Sequence, residues 1–169
     1  MDYFPTKEEI EKLMFDRKRI PDDVFREVLK WVPISTSDFI LTRKNEGGKK
    51  EFLLGYRTEA PFKDTWFVPG GRLNWGETPD EACYRHLQRE LGIQYPAIEF
   101  QGHFSVINPE SDDRPLWHSI WHLYEVPVPF DTIVTPNKEN AKVEWFTHID
   151  SSWPEPVQNA LRSLGFLWE

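Results

Sequence analysis

Residues 66–93 carry the side chains best spaced for chemistry: Arg72, Glu77, Arg85, His86, Arg89 and Glu90, distributed over a glycine loop and the segment after it. Trp66, Phe67 and Val68 form a short apolar run of strand-like composition. Pro69-Gly70-Gly71 stops that run, because proline has no N–H for a sheet ladder and glycine permits backbone angles closed to other residues. A loop of this kind brings carbonyls or amides close to a ligand. Thr78-Pro79-Asp80-Glu81 reads as a helix start, with Thr78 as the cap, Pro79 at the first helical position and Glu81 closing a capping box. The pattern predicts a helix to about Leu91, ended by Gly92. On such a helix positions 86 and 90 lie one turn apart on one face, with 89 beside them. That face offers one carboxylate, Glu90, between a histidine and a permanently charged arginine. Arginine gives a metal no lone pair and repels a second cation placed near it. Glu77 and Arg85 read as an ion pair tying loop to helix, with a direct part in chemistry as the alternative.

The elements around this stretch are of both kinds. Strands are expected at about 34–43 and 51–58, joined by the polar Asn45-Glu-Gly-Gly-Lys turn as a hairpin, then near 98–107, 116–126 and 142–147. Residues 154–164 suggest a closing helix. Thr6–Phe15 and Pro21–Leu29 read as two amphipathic helices, so the expected organisation is an N-terminal helical extension over 1–30 and a main domain over 31–169. Asp38 interrupts an otherwise apolar strand, where an unpartnered carboxylate is costly. His118 and His122, four apart in an alternating segment, share one strand face with Ile120 between them. Imidazole titrates near neutrality and suits base work; the plainer reading is a pair of half-buried polar residues hydrogen-bonded on a sheet face. His86 is a similar candidate, or a supporting partner of Glu90. Cys83, the single cysteine, excludes an intrachain disulfide and reads as a small packing residue, which fits a reducing cytoplasm. The tryptophans read as scaffold, although Trp75, Phe4 or Tyr3 could stack on a base.

Composition narrows the partners. Twenty Lys and Arg against 28 Asp and Glu give a net charge of −8, which argues against nonspecific nucleic-acid binding. A compact anionic substrate stays admissible if arginines and a metal concentrate positive potential locally. No apolar run is long enough to span a membrane, and the N-terminus has no signal-type segment.

The stretch 66–93 resembles the Nudix box, whose pattern is G-x5-E-x7-R-E-U-x-E-E-x-G-U with U a bulky aliphatic residue. Gly71, Glu77, Arg85, Leu87, Glu90, Gly92 and Ile93 fall in register, while His86 and Arg89 stand where the pattern has Glu. The resemblance implies the Nudix fold, an α/β/α sandwich with a mixed β-sheet. Within that group the chain looks most like the GDP-mannose mannosyl hydrolases, which also lack Glu at the positions of His86 and Arg89 and keep the one at Glu90. Asp38-Phe39-Ile40, Glu51 to Thr58 and Trp66 to Arg72 carry the same likeness, which spans roughly residues 30–150 and loosens after Ile93.

Carried over by position, the resemblance implies one Mg2+, with Mn2+ as the alternative, held by the Gly70 carbonyl, Glu90 and Glu139. Arg57 and Arg72 match arginines that contact the diphosphate or assist its departure, and Asp38 matches a substrate-contacting carboxylate. The subfamily's basic histidine falls at Asn140, which cannot accept a proton, so His118 is the candidate to replace it. The implied activity is Mg-dependent hydrolysis of a nucleoside diphosphate sugar, GDP-mannose or GDP-glucose, by water attack at the anomeric carbon, in a cytoplasmic homodimer. Two alternatives stand beside it: a pyrophosphohydrolase attacking phosphorus of another nucleoside diphosphate derivative, and a non-catalytic module that binds a nucleotide sugar.

Overall fold

A sheet of seven strands with helices on both faces organises the chain. The computed structural model describes residues 6, 8, 21–94, 96–111, 114–137 and 140–168. Along the chain come α1 (Asp22–Leu29), β1 (Ile34–Lys44), β2 (Lys50–Arg57), β3 (Trp66–Phe67), β4 (Gly70–Arg72), α2 (Pro79–Leu91), β5 (Glu99–Asn108), β6 (Trp117–Pro127), β7 (Asn140–Phe146) and α3 (Glu155–Ser163). The expected strands and closing helix agree with these bounds to within two residues. Of the two N-terminal helices, the second is α1; the first falls almost wholly outside the described residues.

The sheet is mixed. β1 runs parallel to β6, with Asp38 opposite Leu123, while β5 closes the far edge antiparallel to β6. On its other side β1 is shared. Its end at Thr42–Lys44 pairs with β2 through the expected hairpin, and its start at Thr36–Asp38 pairs with β4. β1 and β2 therefore diverge, and β3 and β4 fill the opening between them, β3 on β2 and β4 on β1. β7 lies on the outer side of β2.

Strand alternation divides the core into two layers. Ile40, Phe52, Leu54, Trp121 and Leu123 pack with Val157, Ala160 and Leu161 of α3. Their sequence neighbours Phe39, Leu41, Leu53, Tyr124 and Val126 face the other way, against Cys83, Leu87 and Leu91 of α2. Successive strand residues alternate faces, so near-continuous apolar runs in β1 and β2 are what a sheet covered on both sides requires. Each such side chain contributes roughly 1.5–3 kcal/mol by leaving water. The result is the α/β/α sandwich expected from the sequence.

α2 is bounded as its sequence signals. The Glu81 amide donates to the Thr78 hydroxyl and the Thr78 amide to the Glu81 carboxylate, completing the capping box. Gly92 closes the helix at φ 71°, a left-handed angle costly for any residue with a Cβ. Beyond it, the Thr135 and Asn137 amides donate to the Leu91 and Glu90 carbonyls, so the segment leading into residues 138–139 is docked on the helix end.

Candidate functional site

The site is built where β4 passes between β1 and α2. The Phe39 amide donates to the Pro69 carbonyl and the Leu73 amide to the Ser35 carbonyl. In an antiparallel ladder this makes Ser37–Gly71 the hydrogen-bonded pair, so the N–H and C=O of Gly70 and of Arg72 turn away from β1. The groups on α2 meet them there. Glu90 accepts from the Gly70 amide at 3.2 Å, and the Arg72 carbonyl accepts from Arg85 at 2.9 Å and from His86 Nε2 at 3.1 Å. Pro69-Gly70-Gly71, expected as a glycine loop, is in part a strand, Gly70–Arg72. Two glycines there carry no strand propensity, and only the pairing with Thr36–Asp38 makes them one.

Both glycines are required by close approach. A Cβ on Gly70, at φ 145°, would stand 2.5 Å from the Ser37 carbonyl and 2.7 Å from Asp38 Oδ1. One on Gly71 would lie 2.8 Å from the His86 ring.

Glu90 is buried, and its two oxygens are used differently. Oε1 accepts from the Arg89 guanidinium at 2.7 Å and lies 3.1 Å from His86 Nδ1. The Arg72 carbonyl only accepts, so His86 Nε2 donates on that side. Oε2 takes only the Gly70 amide among these bonds, and the Gly70 carbonyl is turned to the same side.

The donors suit one hard cation and not a cluster. Gly70 O and Glu90 Oε2 are hard oxygen donors of the kind Mg2+ takes, with waters and phosphate oxygens completing its shell. A second cation would meet the Arg89 guanidinium already seated on Oε1. Among the described residues no group of three or more His, Cys, Asp or Glu is arranged to hold a metal. Glu139, the third ligand implied by the resemblance, lies outside the described residues. Its neighbours are fixed on both sides: Asn137 by the Glu90 carbonyl, and Asn140 opposite Arg57 in the sheet.

Asp38 is buried beside this group and accepts from the Thr36 hydroxyl at 2.5 Å. Burial pushes its carboxyl up to about 8; the Thr36 hydrogen bond works against that rise, the Glu90 charge adds to it and the Arg57 charge offsets it. The sequence signal for Thr36 as a partner of Asp38 is their i, i+2 spacing on one strand face. Arg57 donates to the carbonyls of Glu59 and Ala60 and lies 5.4 Å over the Phe67 ring. Arg72 extends to the Phe25 ring of α1, its guanidinium carbon 3.9 Å from the ring centroid.

The Glu77–Arg85 reading as an ion pair holds. Arg85 donates twice to Glu77, at 2.6 and 2.7 Å, and the Asn74 amide donates to the same carboxylate. Burial tends to raise the Glu77 carboxyl, but the Arg85 and Asn74 hydrogen bonds bring it below its ordinary value. Cys83 is buried, and burial pushes its thiol up to about 12, which leaves it a packing residue.

The two strand histidines are not equivalent. Both lie on the α2 side of the sheet, and register sets His122 opposite Ser37, while Asp38, paired with Leu123, shares the other face with Ile40. His118 is five residues from Leu123, the partner of Asp38, and thus about 16 Å along the strand. Its Nε2 is hydrogen-bonded to Ser105 at 2.8 Å, and the structure does not bring it into the Asp38–Gly70–Glu90 group. His122 is bonded to Ser35 at 2.8 Å; burial, then the nearby His103, lowers its basicity below the ordinary imidazole value.

The comparisons with known proteins follow the same outline. The NUDIX domain family matches residues 35–164. The low-salt glycan biosynthesis protein Agl8 of Haloferax volcanii is 36% identical over 117 residues, covering 68% of this chain and 72% of that protein. A MutT/NUDIX hydrolase structure from Burkholderia pseudomallei superposes with a TM-score of 0.64 at 20% identity, over 79% of this chain and 98% of that one. A MutT/nudix family protein from Enterococcus faecalis gives 0.58 at 22% identity over 89% of this chain; the chain spans 59% of that protein's length. The structural likenesses speak for the fold.

Proposed function

Since the chain belongs to the Nudix hydrolase family, we propose that it hydrolyses a nucleoside diphosphate sugar, GDP-mannose or GDP-glucose, by water attack at the anomeric carbon. One observation carries this reading: the box face of α2 presents one carboxylate, and half of it is already taken by Arg89 and His86. Attack at phosphorus by clustered metals needs several carboxylates to hold the ions and activate water. A site thinned to one carboxylate is better matched to stabilising a leaving group. The relative in glycan biosynthesis supports an activated sugar as substrate.

Gly70 and Glu90, with Glu139, would hold one Mg2+ or Mn2+, which when bound offsets the charge of the diphosphate. Arg57 and Arg72 bind the diphosphate oxygens, and their fixed charge favours the state in which the C1–O bond has broken and its electron pair has passed to the nucleotide. Asp38, neutral in the buried site at pH 7, offers a hydroxyl hydrogen to the substrate without adding a negative charge beside the diphosphate. The attacking water gives its proton to an imidazole of β6, His118 or His122. General-base assistance of this kind typically contributes about 10²–10⁴-fold.

Hydrolysis in ¹⁸O-enriched water tests the reading. Label in the free sugar and none in the nucleotide is expected. Label in the nucleotide or in a sugar phosphate would transfer the chain to the pyrophosphohydrolase reading. No turnover of any nucleotide sugar, in the wild type as in Glu90→Gln, would leave a binding module.

A further inference from the structure

Arg72 is fixed at its base, and its long side chain reaches α1. Its backbone is locked by the pairing with Thr36 and by Arg85 and His86 on its carbonyl. The side chain beyond has four rotatable bonds, whose freedom is lost whenever the guanidinium engages a phosphate. The Phe25 ring lies under that guanidinium at 3.9 Å. Phe25 belongs to α1, which precedes the residues matched to the family, and α1 is anchored one turn further on by Leu29, buried at 2% exposure.

The type of contact matters. Stacking uses the flat face of a guanidinium and spends none of its N–H donors, which point outward in the plane where phosphate oxygens bind. A carboxylate in the same place would occupy those donors and cancel the charge. An aromatic face orients the arginine without itself drawing on either.

We propose that Phe25 is a positioning residue of the substrate site: the N-terminal helix supplies the ring that holds Arg72 ready for the diphosphate. The proposal rests on the reading of Arg72 as a diphosphate contact. It makes α1 a working part of the site, outside the box and outside the family core.

The test replaces Phe25 by pentafluorophenylalanine in the full chain, which keeps the shape of the ring and reverses the charge of its face. Phe25→Leu and Phe25→Tyr are made beside it, each with Arg72 intact and with Arg72→Ala, and GDP affinity is measured by calorimetry with Mg2+. With Arg72 present, the fluorinated ring and Phe25→Leu are expected to weaken GDP binding by about three- to ten-fold, and Phe25→Tyr to leave it unchanged. With Arg72→Ala they should change nothing further. Unchanged affinity with the fluorinated ring overturns the proposal, as does an equal loss in both backgrounds, which is the mark of a packing role. Failure of Arg72→Ala to weaken GDP binding overturns the diphosphate reading of Arg72 and this proposal with it. A loss with Arg72→Ala but none with the fluorinated ring overturns only the role of Phe25.

Discussion

Replacing Asp38 by asparagine should make the protein more stable at neutral pH and change how its stability depends on pH. In the native state burial holds this carboxyl near 8, against an ordinary value of 3.8. A group whose native value is raised contributes stability that is whole below the unfolded value and lost as pH rises through the native one. Between those limits the native protein binds one more proton than the unfolded chain, so stability falls by about 1.4 kcal/mol per pH unit. From pH 5 to pH 7 the loss due to this one residue is therefore about 2.7 kcal/mol. Asparagine keeps the shape, can accept from Thr36, and has no proton to lose. Urea denaturation of both proteins at pH 5, 6 and 7, with chelator and without nucleotide, isolates the effect, because every other titrating group is common to the two. The stability difference should move steadily in favour of Asp38→Asn as pH rises, by about 1.4 kcal/mol per unit. Parallel curves, with the difference constant from pH 5 to 7, would refute the argument: Asp38 would then be ionised in the folded protein, and an unseen partner would have to hold its charge.

Three other outcomes follow from the same geometry. Glu90→Gln should lower turnover of the nucleotide sugar by about 100-fold or more, with the fold retained by circular dichroism, because it removes the one box carboxylate available to a cation. Glu77→Gln should cost about 1–3 kcal/mol in thermal unfolding by removing charge-assisted hydrogen bonds from Arg85; the carboxyl lies below its ordinary value, so its contribution exists above that value and disappears on acidification. His122→Gln should reduce kcat more than His118→Gln does, by up to about 10²–10⁴-fold, with KM little changed. The reverse order would return the base to the outer histidine.

The legibility of the site in the sequence followed the range of the forces involved. α2 was readable because its signals are local: a cap at Thr78, proline next to it, Glu81 three residues on and glycine at the end. The Glu77–Arg85 pair was readable because a motif fixes its spacing. β4 was not, since its strand character comes from β1 across the gap and not from its own residues. The clasp of Arg89 on Glu90 was also out of reach, because adjacent helical residues do not ordinarily face each other. The different standing of His118 and His122 depends on a parallel register between β1 and β6, which no local pattern encodes. The approach of Phe25 to Arg72 is of the same long-range kind.

The central claim is that one box glutamate, already half-committed to protein donors, leaves room for a single cation. Titration of the protein with Mn2+ in the presence of GDP, followed by electron paramagnetic resonance, counts the sites directly. One bound Mn2+ per chain is expected, lost or greatly weakened by Glu90→Gln. Two or more tightly bound ions, or one ion indifferent to Glu90→Gln, would contradict the account.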